Sequence, residues 1–206
     1  MNDRIYTAAR RILVLHGSHR EAEPLPDVVR TVLPGAEVTA ARPEEGTTLL
    51  RQHRYDVVIH DFAAAGRDRL GTFMALMEEA ALTPVLVIAD RSDPVVIGAV
   101  LALHAAGLVN RAELPTALSG ALERIYGGDH GFEATDVALV PVEHRLTWGQ
   151  LRVLLALGEG RLNKQIADDL GVSEATIKAH LSAIFRKLGV LNRTQALIAA
   201  GALFGR

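Results

Sequence analysis

Five short apolar runs, each followed by a segment of helical spacing, limit the front of this chain to few folds. The runs are residues 12–15, 37–40, 56–59, 85–89 and 108–109, and the helical segments are about 26–33, 43–53, 70–81, 93–105 and 114–126. Strands alternating with helices predict an α/β, doubly wound domain on a five-stranded parallel sheet. Pro43 stands where a helix begins and Gly107 follows the end of another. Residues 128–145 carry no helical period and include Pro141, so they read as a linker. From residue 146 to 206 the pattern is helical only, at about 148–157, 164–170, 174–188 and 194–203. A chain of 206 residues accommodates two such domains.

Charge separates the same two regions. Residues 145–206 hold nine Lys/Arg against four Asp/Glu, whereas residues 1–144 hold 13 basic and 20 acidic residues. A basic tail behind an acidic front suggests a polyanion partner for the tail alone. No apolar run reaches the ~18 residues of a membrane span, and the N-terminal residues lack the apolar core of a signal peptide. A cytoplasmic protein with no membrane partner is therefore expected. The absence of cysteine excludes disulfides, thiol chemistry and cysteine zinc sites.

Within the tail, a short helix ends at Leu170, Gly171 supplies a turn, and Ser173 is placed to cap the next helix. Ile177, Leu181, Ile184, Phe185 and Leu188 fall within roughly 100° of one another on that second helix. The opposite face carries Ala175, Thr176, Ala179, Ser182, Ala183, Arg186 and Lys187. Such a pair of helices suits a helix-turn-helix reading a major groove. Geometry and charge alone leave open an ordinary helical bundle with a solvated basic face.

The stretch from Leu146 to Leu197 resembles the LuxR/NarL-type four-helix, wingless DNA-binding domain. The resemblance is carried by Leu146, Thr147, Gly158, Asn163, Lys164, Ile166, Ala167, Leu170, Gly171, Ser173, Thr176, Lys178, His180, Lys187, Leu188, Asn192 and Arg193. It implies double-stranded DNA as partner, with Lys178, Ala179 and Ser182 facing bases. It implies phosphate contacts for Asn163, Lys164, Thr176, His180, Arg186, Lys187 and Arg193. The chain departs from the family at Trp148, where proline is usual, and at Gln150 and Arg152, where glutamates are usual.

The front resembles the receiver domain of two-component response regulators. Asp61 matches the phosphoacceptor in DVVIHDF. His16 and Gly17 stand where receivers carry an acidic pair, Ala89 where they carry Thr or Ser, and Arg111 where they carry lysine. Mg²⁺ needs hard oxygen ligands, and phosphoryl transfer to a carboxylate needs Mg²⁺. An atypical receiver is expected, without ordinary Mg²⁺-dependent phosphorylation. Arg111 can instead hold Asp61 in a permanent ion pair, and a small ligand or partner protein at this domain is another means of control. A conventional switch at Asp61 and a ligand-sensing transcription factor are the alternatives.

The cluster His16, His19, His60 and Asp61 invites a metal reading, but His60 and Asp61 are consecutive on a strand and point to opposite faces. No cofactor, metal site or enzyme activity is expected. A homodimer is expected, with the surplus apolar face of segment 93–105 or the last helix as its surface. The expected domains are 1–127, a linker at 128–145, and 146–206.

Overall fold

The computed structural model describes residues 10–17, 24–90, 93–128, 132 and 140–205. Strands β1 (Arg11–Leu15), β2 (Glu37–Ala41), β3 (Val57–Asp61), β4 (Val85–Ala89) and β5 (Gly107–Asn110) form one parallel sheet in the order β2-β1-β3-β4-β5. Helices α1 (Leu25–Val32), α2 (Gly46–Gln52), α3 (Arg69–Ala80), α4 (Pro94–Ala102) and α5 (Thr116–Tyr126) alternate with them. The central strands are apolar at nearly every position because both faces are covered. Ile12, Val14, Val57 and Ile59 pack with α1 and α5, while Leu13, Leu15, Val58 and Val87 pack with α3 and α4. This doubly wound order places the ends of β1, β3, β4 and β5 at one rim, where open α/β sheets bind ligands.

The tail consists of α6 (Trp148–Gly158), α7 (Asn163–Leu170), α8 (Glu174–Leu188) and α9 (Arg193–Ala199), followed by a 3-10 turn at Gly201–Phe204. Each helix start has a local cause. Thr147 accepts from the Gln150 amide while Gln150 Oε1 accepts from the Thr147 amide, a reciprocal cap on α6. Asn192 caps α9 through the Gln195 amide. The expected helix at 194–203 breaks into two pieces, because the chain tightens at Ala200 and Gly201–Phe204 packs against other elements. Segment 43–53 likewise opens with a 3-10 turn at Pro43–Glu45 before α2. A further 3-10 turn, Val142–His144, lies inside the expected linker, whose residues 129–131 and 133–139 fall outside the described residues.

The two regions share one apolar core. The Gly201–Phe204 turn contacts α3 and α4, and Arg69 Nη1 donates to the Ala202 carbonyl at 3.2 Å. Buried residues run from α4 through Val140 and Leu146 into α6 and α8 without a break. The surplus apolar face of α4 is thus covered in this structure: a Cβ built on Gly98 lies 3.7 Å from Val140 Cγ1. Gly205 takes a left-handed φ of 65°, and a Cβ added there would collide with the Gly66 carbonyl oxygen. Gly205→Val therefore both strains the backbone and collides with the 66–67 loop. It should lower stability by about 1–3 kcal/mol and loosen the tail. Thermal melting together with limited proteolysis between α5 and α6 checks this; an unchanged melting temperature and cleavage rate would contradict the docking.

Candidate functional site

The tail presents a solvated helix face. Gly171, at φ 66°, reverses the chain between α7 and α8 with no Cβ to clash. Ser173 Oγ then accepts from the Thr176 amide at 3.1 Å and fixes the start of α8. Ile177 and Ile184 are fully buried and Leu181 is nearly so, which orients the helix. The other side is open: Ala175, Thr176, Lys178, Ala179, Ser182 and Arg186 are exposed. The expected base-facing residues Lys178, Ala179 and Ser182 thus share one exposed face.

The electrostatics of that face are modest. Lys178 Nζ pairs with Glu174 Oε1 at 3.1 Å in an exposed i,i+4 arrangement worth about 0.3–0.5 kcal/mol. Such a pair opens readily for a phosphate or base. Ser182 Oγ donates to the Lys178 carbonyl at 3.0 Å, so outward it presents lone pairs rather than a hydrogen.

The expected phosphate contacts divide into two groups. Lys164, Thr176 and Arg186 are exposed, and Asn163 and His180 are half-buried. Lys187 and Arg193 are anchored within the tail. Lys187 Nζ donates to the Arg145 carbonyl at 2.6 Å and to Gln150 Oε1 at 2.9 Å. Arg193 Nη2 donates to the carbonyls of Leu157 and Arg161 at 3.1 and 3.0 Å. Each bridges helix ends and retains donors for another partner. The anchor on Gln150 was not foreseen, although the Thr147-x-x-Gln150 spacing is a readable capping signal.

At the rim of the sheet, Asp61 ends β3 with its side chain 5% exposed. Its Oδ1 accepts from Arg111 Nη2 and, at 3.1 Å, from the Ala63 amide. The Arg111–Asp61 pair, one of the means of control raised by the receiver-like positions, is present. Ala89 is buried at the end of β4 and offers no hydroxyl. His16 Nδ1 donates to the Gly17 carbonyl at 2.9 Å, so neither residue supplies a carboxylate. Of the receiver positions His16, Gly17, Asp61, Ala89 and Arg111, Asp61 alone offers a carboxylate, already bonded to a guanidinium, which does not fit the demand of Mg²⁺ for several hard oxygens.

His60 faces the other way, as strand alternation requires. It is fully buried and stacks on Phe73, with ring centroids 5.3 Å apart and 2° between planes. Phe62 meets it edge-on. Neither ring nitrogen has a hydrogen-bond partner, and burial pushes its pKa down to about 3. His60 is thereby separated from Asp61 and cannot share a metal with it, and His19 lies outside the described residues. Among the described residues, no three His, Asp or Glu side chains converge to hold a metal ion.

Comparison with known proteins settles the family. Residues 144–200 match the model of bacterial regulatory proteins of the luxR family. The glycerol metabolism activator of Pseudomonas putida is 30% identical over 209 residues, spanning 93% of this chain and 95% of that protein. The chain belongs to the LuxR/NarL family of response regulators. The nitrate/nitrite response regulator protein NarP of Escherichia coli K12 is 28% identical over 180 residues, covering 80% of this chain and 82% of NarP. The fold matches RcsB of Salmonella enterica serovar Typhimurium, solved on the promoter rprA, with a TM-score of 0.63. That likeness, at 20% identity, covers 93% of this chain and 98% of RcsB. As a member of this family, the chain is a DNA-binding transcription regulator. Its relatives are regulators and not enzymes. Among the described residues no helix is long and apolar enough to cross a membrane.

Proposed function

We propose that this regulator binds DNA through the exposed face of α8 and works without phosphorylation of Asp61. The observation that carries the second part is the Arg111–Asp61 ion pair. It occupies the carboxylate that a phosphoryl donor must reach, in a pocket where Ala89 provides no hydroxyl to follow a phosphate. Arginine is suited to such a lasting pair because its guanidinium stays charged and offers a fixed fork of donors. The domains of this reading are an atypical receiver at 1–127, a linker at 128–145 and the DNA-binding tail at 146–206. Incubation of the full chain with acetyl phosphate and Mg²⁺, followed by intact mass measurement, tests it. An unchanged mass is expected. A gain of one phosphoryl group that disappears in Asp61→Asn would establish the conventional switch instead.

On DNA, Lys178, Ala179 and Ser182 face bases, while Asn163, Lys164, Thr176, His180 and Arg186 hold phosphates. Lys187 and Arg193 add phosphate contacts through the donors that their anchors leave over. Phosphate contacts supply salt-dependent affinity and base contacts supply sequence choice. Two copies read paired half-sites as a homodimer in the cytoplasm. Ile198 and Leu191 on and beside α9 support this, being 74% and 87% exposed and apolar. RcsB has been solved as two dimers bound to two parallel DNAs. Lys178→Ala should weaken specific binding by about 1–3 kcal/mol, since it removes the longest reader and leaves Glu174 unpaired toward the phosphates. A gel-shift titration on a selected site measures this, and equal affinity for both proteins would remove Lys178 from the interface.

A further inference from the structure

Between α4 and the end of α8 lies a cavity of about 400 Å³, within the range of small-molecule sites. Val95 and Gly98 of α4 form one wall, Val140, Pro141 and His144 a second, and Leu188 a third. The lining is apolar except for Lys187 and His144.

The polar end of this cavity is cationic and uncompensated. Lys187 is half-buried, yet among the described residues its ammonium meets only neutral acceptors, the Arg145 carbonyl and Gln150 Oε1. An ammonium has three donors, so one is left for a further acceptor. A half-buried charge with no counter-ion favours an anion beside it. His144 Nδ1 donates to the Lys187 carbonyl at 3.0 Å, which leaves Nε2 as the other polar contact. The first free amides of α4 are already taken by Asp93, which caps Val95 and Val96 at 2.9 and 3.3 Å. An anion here is therefore held by Lys187 and not by the helix end.

We propose that this cavity binds a small amphipathic carboxylate, its apolar body against Val95, Gly98, Val140 and Leu188 and its carboxylate on Lys187. The walls come from both sides of the seam between the α/β region and the tail. An occupant consequently favours the docked arrangement over any in which the two separate, by simple linkage. The site stands apart from Asp61 and from the base-facing Lys178, Ala179 and Ser182, but it shares Lys187 with the proposed phosphate contacts. An occupant takes the donor a phosphate would otherwise use, and failure of the site leaves the rest of the proposed function untouched.

Calorimetric titration of the full chain with octanoate, and with 1-octanol as the neutral analogue, tests the site. Saturable binding of octanoate is expected, with 1-octanol at least about tenfold weaker. Gln150→Glu gives Lys187 a carboxylate of its own and should weaken octanoate by about tenfold or more. Gly98→Leu grows toward Val140, fills the cavity and should abolish binding. Circular dichroism confirms that each variant is folded; if Gly98→Leu is not, Gln150→Glu decides. No saturable binding to the wild-type chain, equal affinity for 1-octanol, or unchanged octanoate affinity in the folded variants would overturn the proposal.

Discussion

Acidification from pH 6.5 to about 3 should destabilise this protein through His60 by about 4–5 kcal/mol. The buried ring titrates near 3 instead of at its ordinary 6.5 because burial disfavours the imidazolium. Between those values the unfolded chain binds a proton that the folded chain does not, so stability rises with pH across the window. Each unit of pKa difference corresponds to ~1.4 kcal/mol. The contribution is complete above pH 6.5 and is lost progressively on the way down. His60→Leu removes the group and should flatten that part of the stability curve. At neutral pH the variant should be more stable by about 1–2 kcal/mol, since two unpartnered nitrogens leave the core. Urea unfolding at several pH values measures both effects. Parallel curves for the two proteins would mean that His60 charges inside the folded protein.

Removing Arg111 should be the most damaging change at the rim of the sheet. Arg111→Ala leaves the Asp61 carboxylate, 5% exposed, with the hydrogen bond from the Ala63 amide but without its cation. Stranding one member of a buried pair costs about 3–5 kcal/mol. The lower end, about 3 kcal/mol, applies because the Arg111 side chain is itself 29% exposed. Adding Asp61→Asn should restore most of the loss, since a neutral amide tolerates the site without a cation. Chemical unfolding of the single and double variants forms the test. Additive losses would show that the two side chains do not act as a pair. The same result bears on function, because the proposed function requires a strong pair to withhold Asp61 from a phosphoryl donor.

Much of this architecture was legible from local patterns. The run Val85–Ala89 predicts β4 to the residue, since a strand buried on both faces is apolar throughout. Gly171 and Ser173 mark the turn and cap of the helix-turn-helix, whose geometry is set by neighbours in sequence. The Arg111–Asp61 pair was one of two means of control suggested by the receiver-like positions of these residues, and strand alternation put His60 and Asp61 on opposite faces. The full burial of His60 was not legible, because a histidine near a strand end reads as solvated. What the residues alone did not reveal depends on contacts distant in sequence. The last helix splits because Gly201–Phe204 docks on α3 and α4, which no local periodicity encodes. Lys187 reads as a surface cation by its position on α8, yet its end reaches Arg145 and Gln150 across the tail. The apolar surplus of α4 suggested a dimer surface, but the chain covers it with its own Val140 and C-terminal turn.

The central claim is that the DNA-binding face of α8 operates without phosphoryl transfer to Asp61. Its most direct measurement is the affinity of the full chain for a DNA fragment selected from a random pool. The titration is run with and without prior incubation in acetyl phosphate and Mg²⁺. The Arg111–Asp61 pair predicts saturable binding in the untreated protein and the same affinity, within about twofold, after treatment. Binding that appears only after treatment, and is lost again in Asp61→Asn, would contradict it.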